Sequence, residues 1–179
     1  LLNTLARIRQ PQRPLDATYR DAGCDLLTTN SFGGTHFALE RHGLTERVAE
    51  LNRAAAQVAR AAAGDHGWVL GDVGPFGDFL EPVGDITADA LHEAFRVQIA
   101  ALIAGGADAI LIETMSDPAE AVVAVSAAKA CAPDVPVIVS YAFQQTAPGE
   151  FRTMMGTSVT AAMGQAADAG ADIVGANCG

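Results

Sequence analysis

Three phrases of the chain repeat one another: AGCDLLTTN at 22–30, GGADAILIET at 105–114 and AGADIVGANC at 169–178. Each passes from a small-residue turn through an aspartate into a short apolar run that ends on polar groups. Two more apolar runs, WVLGDV at 68–73 and PVIVSYAF at 136–143, take the same place in the chain. Short runs that are apolar on both faces suit strands of a parallel sheet covered by helices. The intervening segments read as helices. From Leu44, the positions Val48, Leu51, Ala55, Val58 and Ala62 step by three and four and share one helical face. Residues 87–104 form a second helix with Thr87 as N-cap. In DPAEAVVAVSAAKA, Asp117 caps, Pro118 suits the first helical position and Glu120 falls at the third, as in a capping box. Residues 158–169 supply a fourth helix. Alternation of strand and helix predicts an α/β fold with right-handed crossovers.

Spacing narrows the choice to two α/β folds. The strand starts near Leu26, Val69, Ala109, Val137 and Ile173 lie on average about 37 residues apart. Eight such units would need about 295 residues, and an eightfold barrel typically takes about 250. Five units would therefore be an incomplete barrel. A doubly wound sheet needs only five strands. Its dinucleotide signal, G-x-G-x-x-G, is absent, since FGG at 32–34 and GPFG at 74–77 have other spacings. Periodicity alone leaves both folds open.

Charge and cysteine content exclude several functions. With 11 basic and 21 acidic residues the net charge is -10, which argues against nucleic acid or an anionic membrane as partner. No run of 18 apolar residues is present, so no membrane span is expected. A chain of 179 residues that is 50% hydrophobic can bury a sizeable core. The basic start, LLNTLARIRQPQRP, lacks the apolar core and cleavage site of a secretion signal. Cys24, Cys131 and Cys178 are odd in number and widely spaced, which points away from a disulfide framework and toward a reducing cytoplasm.

Polar groups gather where the strands end, and in either parallel fold that edge is where sites are built. Thr28, Thr29, Asn30 and Ser31 follow the first run, and Asp72 precedes Gly74-Pro75 after the second. Glu113 and Thr114 end the third run; Asn177 and Cys178 end the fifth. A Thr-Asn-Ser run is ordinarily turn chemistry, and Asp72 could simply cap its loop. Glu113 is different, because a carboxylate ending AILIE is costly without a cation or hydrogen-bond donors. By itself Cys178 reads as a structural thiol. Cys24 precedes a strand and Cys131 ends a helix, so neither should reach it, and no close zinc-type spacing exists. His36, His42, His66 and His92 fall in loops or on helix surfaces, and only His36, after the FGG loop, could overhang the site.

In order along the chain, AGCDLLTTNSFGGT, GDVGPFGDFLEPVG, GGADAILIETMSDPAEA and GADIVGANCG resemble the homocysteine S-methyltransferase family. The resemblance covers residues from about 17 to 179 and implies an eight-stranded β/α (TIM) barrel. The chain would be one incomplete domain, residues 1–179, comprising roughly strands two to six. It also implies a zinc ion held by three cysteines, one of them in a G-x-N-C at the end of the sixth strand. GANCG matches that motif and gives Cys178 the role of ligand, with two further cysteines expected downstream. No catalytic group beyond the metal is implied. Glu113, in IET, is expected to accept hydrogen bonds from the homocysteine ammonium, with Asn30 and Asn177 as polar neighbours.

The activity implied is zinc-dependent transfer of a methyl group from an activated donor to the homocysteine thiolate, giving methionine. The donor is left open: a small molecule such as betaine or S-methylmethionine, or a cobalamin or folate donor carried by another domain or protein. The pair after the first strand is Phe32-Gly33 where vertebrate-type betaine enzymes carry Phe-Tyr, closer to the methionine synthase type. The 179 residues alone are expected to be inactive. Two other readings are a zinc-free β/α-barrel enzyme of another class and a non-catalytic fragment or pseudoenzyme. The absence of a lysine at any strand end speaks against a Schiff-base aldolase.

Overall fold

The computed structural model describes residues 15–179. The basic stretch LLNTLARIRQPQRP, with its reading as a non-signal segment, lies outside the described residues. A short helix, α1 (Leu15–Asp21), leads into β1 (Leu26–Thr28), and α2 (His36–Glu40) and a 3-10 turn (Thr45–Arg47) follow. Then come α3 (Val48–Ala63), β2 (Trp68–Val73), α4 (Ala88–Ala104), β3 (Ala109–Met115), α5 (Pro118–Cys131) and β4 (Val137–Tyr141). A hairpin of β5 (Gln144–Ala147) and β6 (Glu150–Arg152) precedes α6 (Val159–Asp168) and β7 (Ile173–Ala176).

The five strands expected from the sequence form one sheet in the order β1-β2-β3-β4-β7, and every pairing is parallel. Each of these strands therefore lies beside the next one in the chain, with no reversal of order. A doubly wound sheet reverses at a switch point, and this one does not. Right-handed crossovers without reversal put all helices on one face, and α3 packs on α4, α4 on α5 and α5 on α6. The result is an arc of a β/α barrel, five strands long.

Burial alternates along the strands as the arc requires. Val69 and Val73 of β2, Ile110 and Ile112 of β3, and Val137 and Val139 of β4 are fully buried in the core under the helices. On the concave side Leu70, Leu111, Ile138 and Ser140 are only half-buried, and Leu26, Trp68 and Ile173 are exposed.

The repeated aspartate has a structural function at the amino edge of the sheet. Asp108 accepts a 2.7 Å hydrogen bond from the Val69 backbone N–H and is bonded to the Arg60 guanidinium. Asp172 accepts at 2.8 Å from the Val137 N–H and pairs with Lys129 Nζ at 2.8 Å. In both cases the aspartate before one strand holds the start of its neighbour, with a base from the preceding helix beside it. The recurring small-residue turn and aspartate thus set strand register.

The expected helix starts are observed. Thr87 Oγ1 accepts from Ala90 N at 3.2 Å, and Asp117 Oδ1 accepts from Ala119 N at 2.8 Å. Glu120 differs from the capping-box expectation: it is buried and accepts from Phe76 N at 2.7 Å, tying α5 to the loop after β2. Burial raises its carboxyl to about 7. The hairpin β5–β6 and the short helices α1 and α2 were not expected.

Lys129, followed by the Val137 N–H, holds the Asp172 carboxyl below its ordinary value. A lowered folded value means stability that is present above the ordinary range and is lost as pH falls through the folded value. Asp172→Ala should therefore destabilise the chain at pH 7 by about 0.5–1 kcal/mol, since the pair is largely solvated. The difference should shrink as pH falls below the ordinary carboxylate range, as checked by urea melts at neutral and at acid pH.

Candidate functional site at the carboxyl edge of the sheet

The loop after β1 is fixed by hydrogen bonds to β2, α3 and α4. Thr29 and Ser31 are buried. Thr29 Oγ1 accepts from the Asp72 N–H at 2.9 Å, and the Ser31 hydroxyl donates to the Asp72 carbonyl at 2.7 Å. The two hydroxyls lie 2.6 Å apart. Buried amides from the helices hold the far side: Gln98 Nε2 donates to Ser31 O at 2.9 Å, and Asn52 Nδ2 donates to Gly34 O at 2.8 Å. A Cβ on Gly34 would collide with both amide side chains, so this turn admits only glycine. The TTNS run is turn chemistry, as its residue types suggest, and it clamps β2 at Asp72.

The same edge of β3 carries a break in the ladder. The β3–β4 register shifts between Ile112 and Met115, and Thr114 has φ 60°. A β-branched residue in the left-handed region is a genuine outlier, and an irregularity of this kind re-aims neighbouring side chains. Cys178, just beyond β7, is the other non-glycine residue with positive φ, at 53°, among the described residues.

Asn177 joins the two. Its Oδ1 accepts from the Thr114 N–H at 3.1 Å and from the Ser140 hydroxyl at 2.7 Å. Its Nδ2 lies 2.7 Å from Thr114 Oγ1, 3.1 Å from Glu113 Oε2 and 3.4 Å from Cys178 Sγ. One amide thus ties the ends of β3, β4 and β7 together and sets the Glu113 carboxylate and the Cys178 thiol on either side of itself. Glu113 and Asn177 are half-buried and Cys178 is exposed. On its other side Cys178 borders an apolar groove of about 420 Å³ lined by Phe143, Phe151, Val159 and Met163.

Of the four expected site residues, Glu113, Asn177 and Cys178 therefore meet in one cluster. Asn30 is exposed at the carboxyl edge of β1, two strands from Glu113. Cys24 is exposed ahead of β1, and Cys131 ends α5, where its Sγ lies 3.5 Å from Arg96 O. His36 begins α2 and is exposed. Ser140 and Asp72 were given no definite role from the sequence. Ser140 had a usable signal: a hydroxyl near the end of the apolar run PVIVSYAF, at the same edge as the others.

The donor set is short of a complete metal site. Among the described residues no group of three or more His, Cys, Asp or Glu is placed to hold an ion, and catalytic zinc has three protein ligands. Cys178, exposed and soft, fits one corner of such a site.

A family model described as homocysteine S-methyltransferase matches residues 13–179. The chain belongs to the homocysteine S-methyltransferase family. Methionine synthases of Mycobacterium leprae and Mycobacterium tuberculosis are each 28% identical to it over 170 residues, 89% of this chain and 14% of the relative. Its fold is similar to that of the homocysteine methyltransferase MmuM from Escherichia coli. The metallated form superposes with a TM-score of 0.75 at 23% identity, over 92% of this chain and 61% of that one. The apo form gives 0.69. The chain thus spans about three fifths of the MmuM chain and about a seventh of the methionine synthases. Among the described residues no helix is long and apolar enough to cross a membrane.

Replacing Asn177 with Ala should leave the Thr114 N–H and the Ser140 hydroxyl unpaired. An unsatisfied buried group costs about 1–3 kcal/mol, and a loss near 2 kcal/mol should be measured by chemical denaturation. An unchanged midpoint would mean that the amide does not carry the junction.

Proposed function

We propose that this chain supplies the homocysteine-binding rim of a zinc-dependent methyltransferase that transfers a methyl group from an activated donor to homocysteine, giving methionine. The observation that carries the reading is the single Asn177 amide bonded to both Glu113 and Cys178. That junction fixes a carboxylate and a soft metal ligand at one barrel mouth, the two groups needed at opposite ends of an amino-acid thiol. Family membership and the likeness of the fold to the metallated form of MmuM support it.

Each residue has a separate task. Glu113 accepts hydrogen bonds from the substrate ammonium and thereby orients the amino acid. Asn177 holds Glu113 and the strand ends in place. Cys178 is one zinc ligand of a set completed by residues outside the described ones. Bound zinc would keep a substrate sulfur deprotonated at neutral pH. Asn30 is assigned to the same rim as a polar neighbour. The single domain, 1–179, forms part of the barrel, and the methyl donor is a small molecule or a corrinoid or folate carrier.

The test uses the full-length protein that contains these residues. Glu113→Gln should keep the fold and weaken homocysteine binding by roughly ten- to 150-fold, the equivalent of a charge-assisted hydrogen bond of about 1.5–3 kcal/mol. Calorimetry reads the affinity, and an unchanged value would remove Glu113 from the site. Elemental analysis should find one zinc per chain in the wild type and a loss of metal in Cys178→Ala. The 179 residues alone should hold little zinc and show no turnover; stoichiometric, Cys178-dependent zinc in them would place the ligand set elsewhere.

A further inference from the structure

A buried acid lies one strand away from Glu113. Asp72 is the fifth residue of β2, in register with Leu111 of β3, two residues before Glu113. It is 4% exposed, its Oδ1 has no hydrogen-bond partner among the described residues, and its carboxyl lies on the same face of the sheet as Glu113, near enough to feel that charge. Its backbone is fixed at this point of the strand, because Thr29 and Ser31 hold its N–H and carbonyl.

A carboxyl buried without a hydrogen-bond partner, with a second carboxylate beside it, is costly to charge. Of the two, the more buried Asp72 is where a proton costs least to keep. Burial first, and the Glu113 charge second, push Asp72 up to about 8. Among the described residues no lysine, arginine or histidine contributes to that balance.

We infer that Asp72 is a positioning residue for the ammonium-binding carboxylate, a neutral acid that donates a hydrogen bond to Glu113 and so holds the Glu113 side chain in one orientation. The inference rests on the reading of Glu113 given above. A carboxylate has about four lone-pair sites. Asp72 and the Asn177 amide take two of them, and the rest stay free for the N–H groups of one ammonium. The charge of the pair is then −1, matched to a single cation. With an unprotonated Asp72 it would be −2, with two like charges in contact.

Three variants and one titration of the full-length protein test this, with homocysteine as the ligand. The carboxyl carbon of Asp72, followed by 13C NMR in the wild type, should titrate well above the ordinary carboxylate range. Asp72→Asn keeps a donor toward Glu113 and should bind homocysteine within about threefold of wild type, whereas Asp72→Leu, branched alike but with no donor, should bind about tenfold more weakly. If Asp72→Leu does not fold, Asp72→Ala takes its place in the same comparison. Asp72 titrating in the ordinary range, or Asn and Leu variants that bind alike, would overturn the assignment. Weaker binding in Glu113→Gln together with wild-type binding in Asp72→Leu would remove Asp72 alone. Unchanged binding in Glu113→Gln would remove the reading of Glu113, and this inference with it.

Discussion

The arc depends on one constraint: its helices cover only one face of a parallel sheet. Val69, Ile110, Ile112, Val137 and Val139 are fully buried on the helical side, while Leu70, Leu111, Ile138 and Ser140, one residue along, are half-buried on the other. A sheet of this kind is driven to curl, because its bare face holds large apolar side chains that water does not favour. Curling brings the carboxyl ends of β2, β3, β4 and β7 toward a common mouth. The placement of Asp72, Glu113, Ser140 and Asn177 around that mouth follows from strand order and period-2 alternation rather than from any long loop.

How much of this was legible in the sequence depends on how local the cause is. The five strand starts were within a residue of their observed positions, because each is a short apolar run announced by a turn and an aspartate. Helix α3 was legible from three-and-four spacing, and α4 and α5 from Thr87 and Asp117, whose caps are short-range bonds; Ser158 caps α6 in the same way. The hairpin was not: Gln144–Ala147 and Glu150–Arg152 are mostly polar and exposed, so no alternation marks them as strands. Glu120 was misassigned for the opposite reason. Its local spacing fits a capping box, but burial against the loop after β2 offered a distant N–H, that of Phe76, and the distant bond won.

The site divides along the same line. Glu113, Asn177 and Cys178 could be picked out as polar residues ending apolar strands, with a family resemblance to give them roles. Their mutual bonds could not. The pairing of Asn177 with Thr114 needs a left-handed threonine in β3, which local preference disfavours and no sequence pattern announces. Asp72 was visible as a polar residue at a strand end, yet its place beside Glu113 depends on strand register and on the Thr29–Ser31 clamp, two long-range facts.

Thr114 and Cys178 are both non-glycine residues in left-handed backbone at the tips of β3 and β7, and each such residue costs about 1–3 kcal/mol. Strain of that size persists only where surrounding bonds over-determine the conformation. Asn177 provides them: it bonds the Thr114 backbone and hydroxyl directly and sits next to Cys178 in the chain, with its amide 3.4 Å from the sulfur. A glycine at 114 would relieve the backbone but would lose the hydroxyl that receives the Asn177 amide. With one acceptor fewer, that amide would be freer to turn away from Glu113. The strained threonine is therefore part of how the carboxylate is aimed, and the rim is rigid because its two strained positions share one side chain.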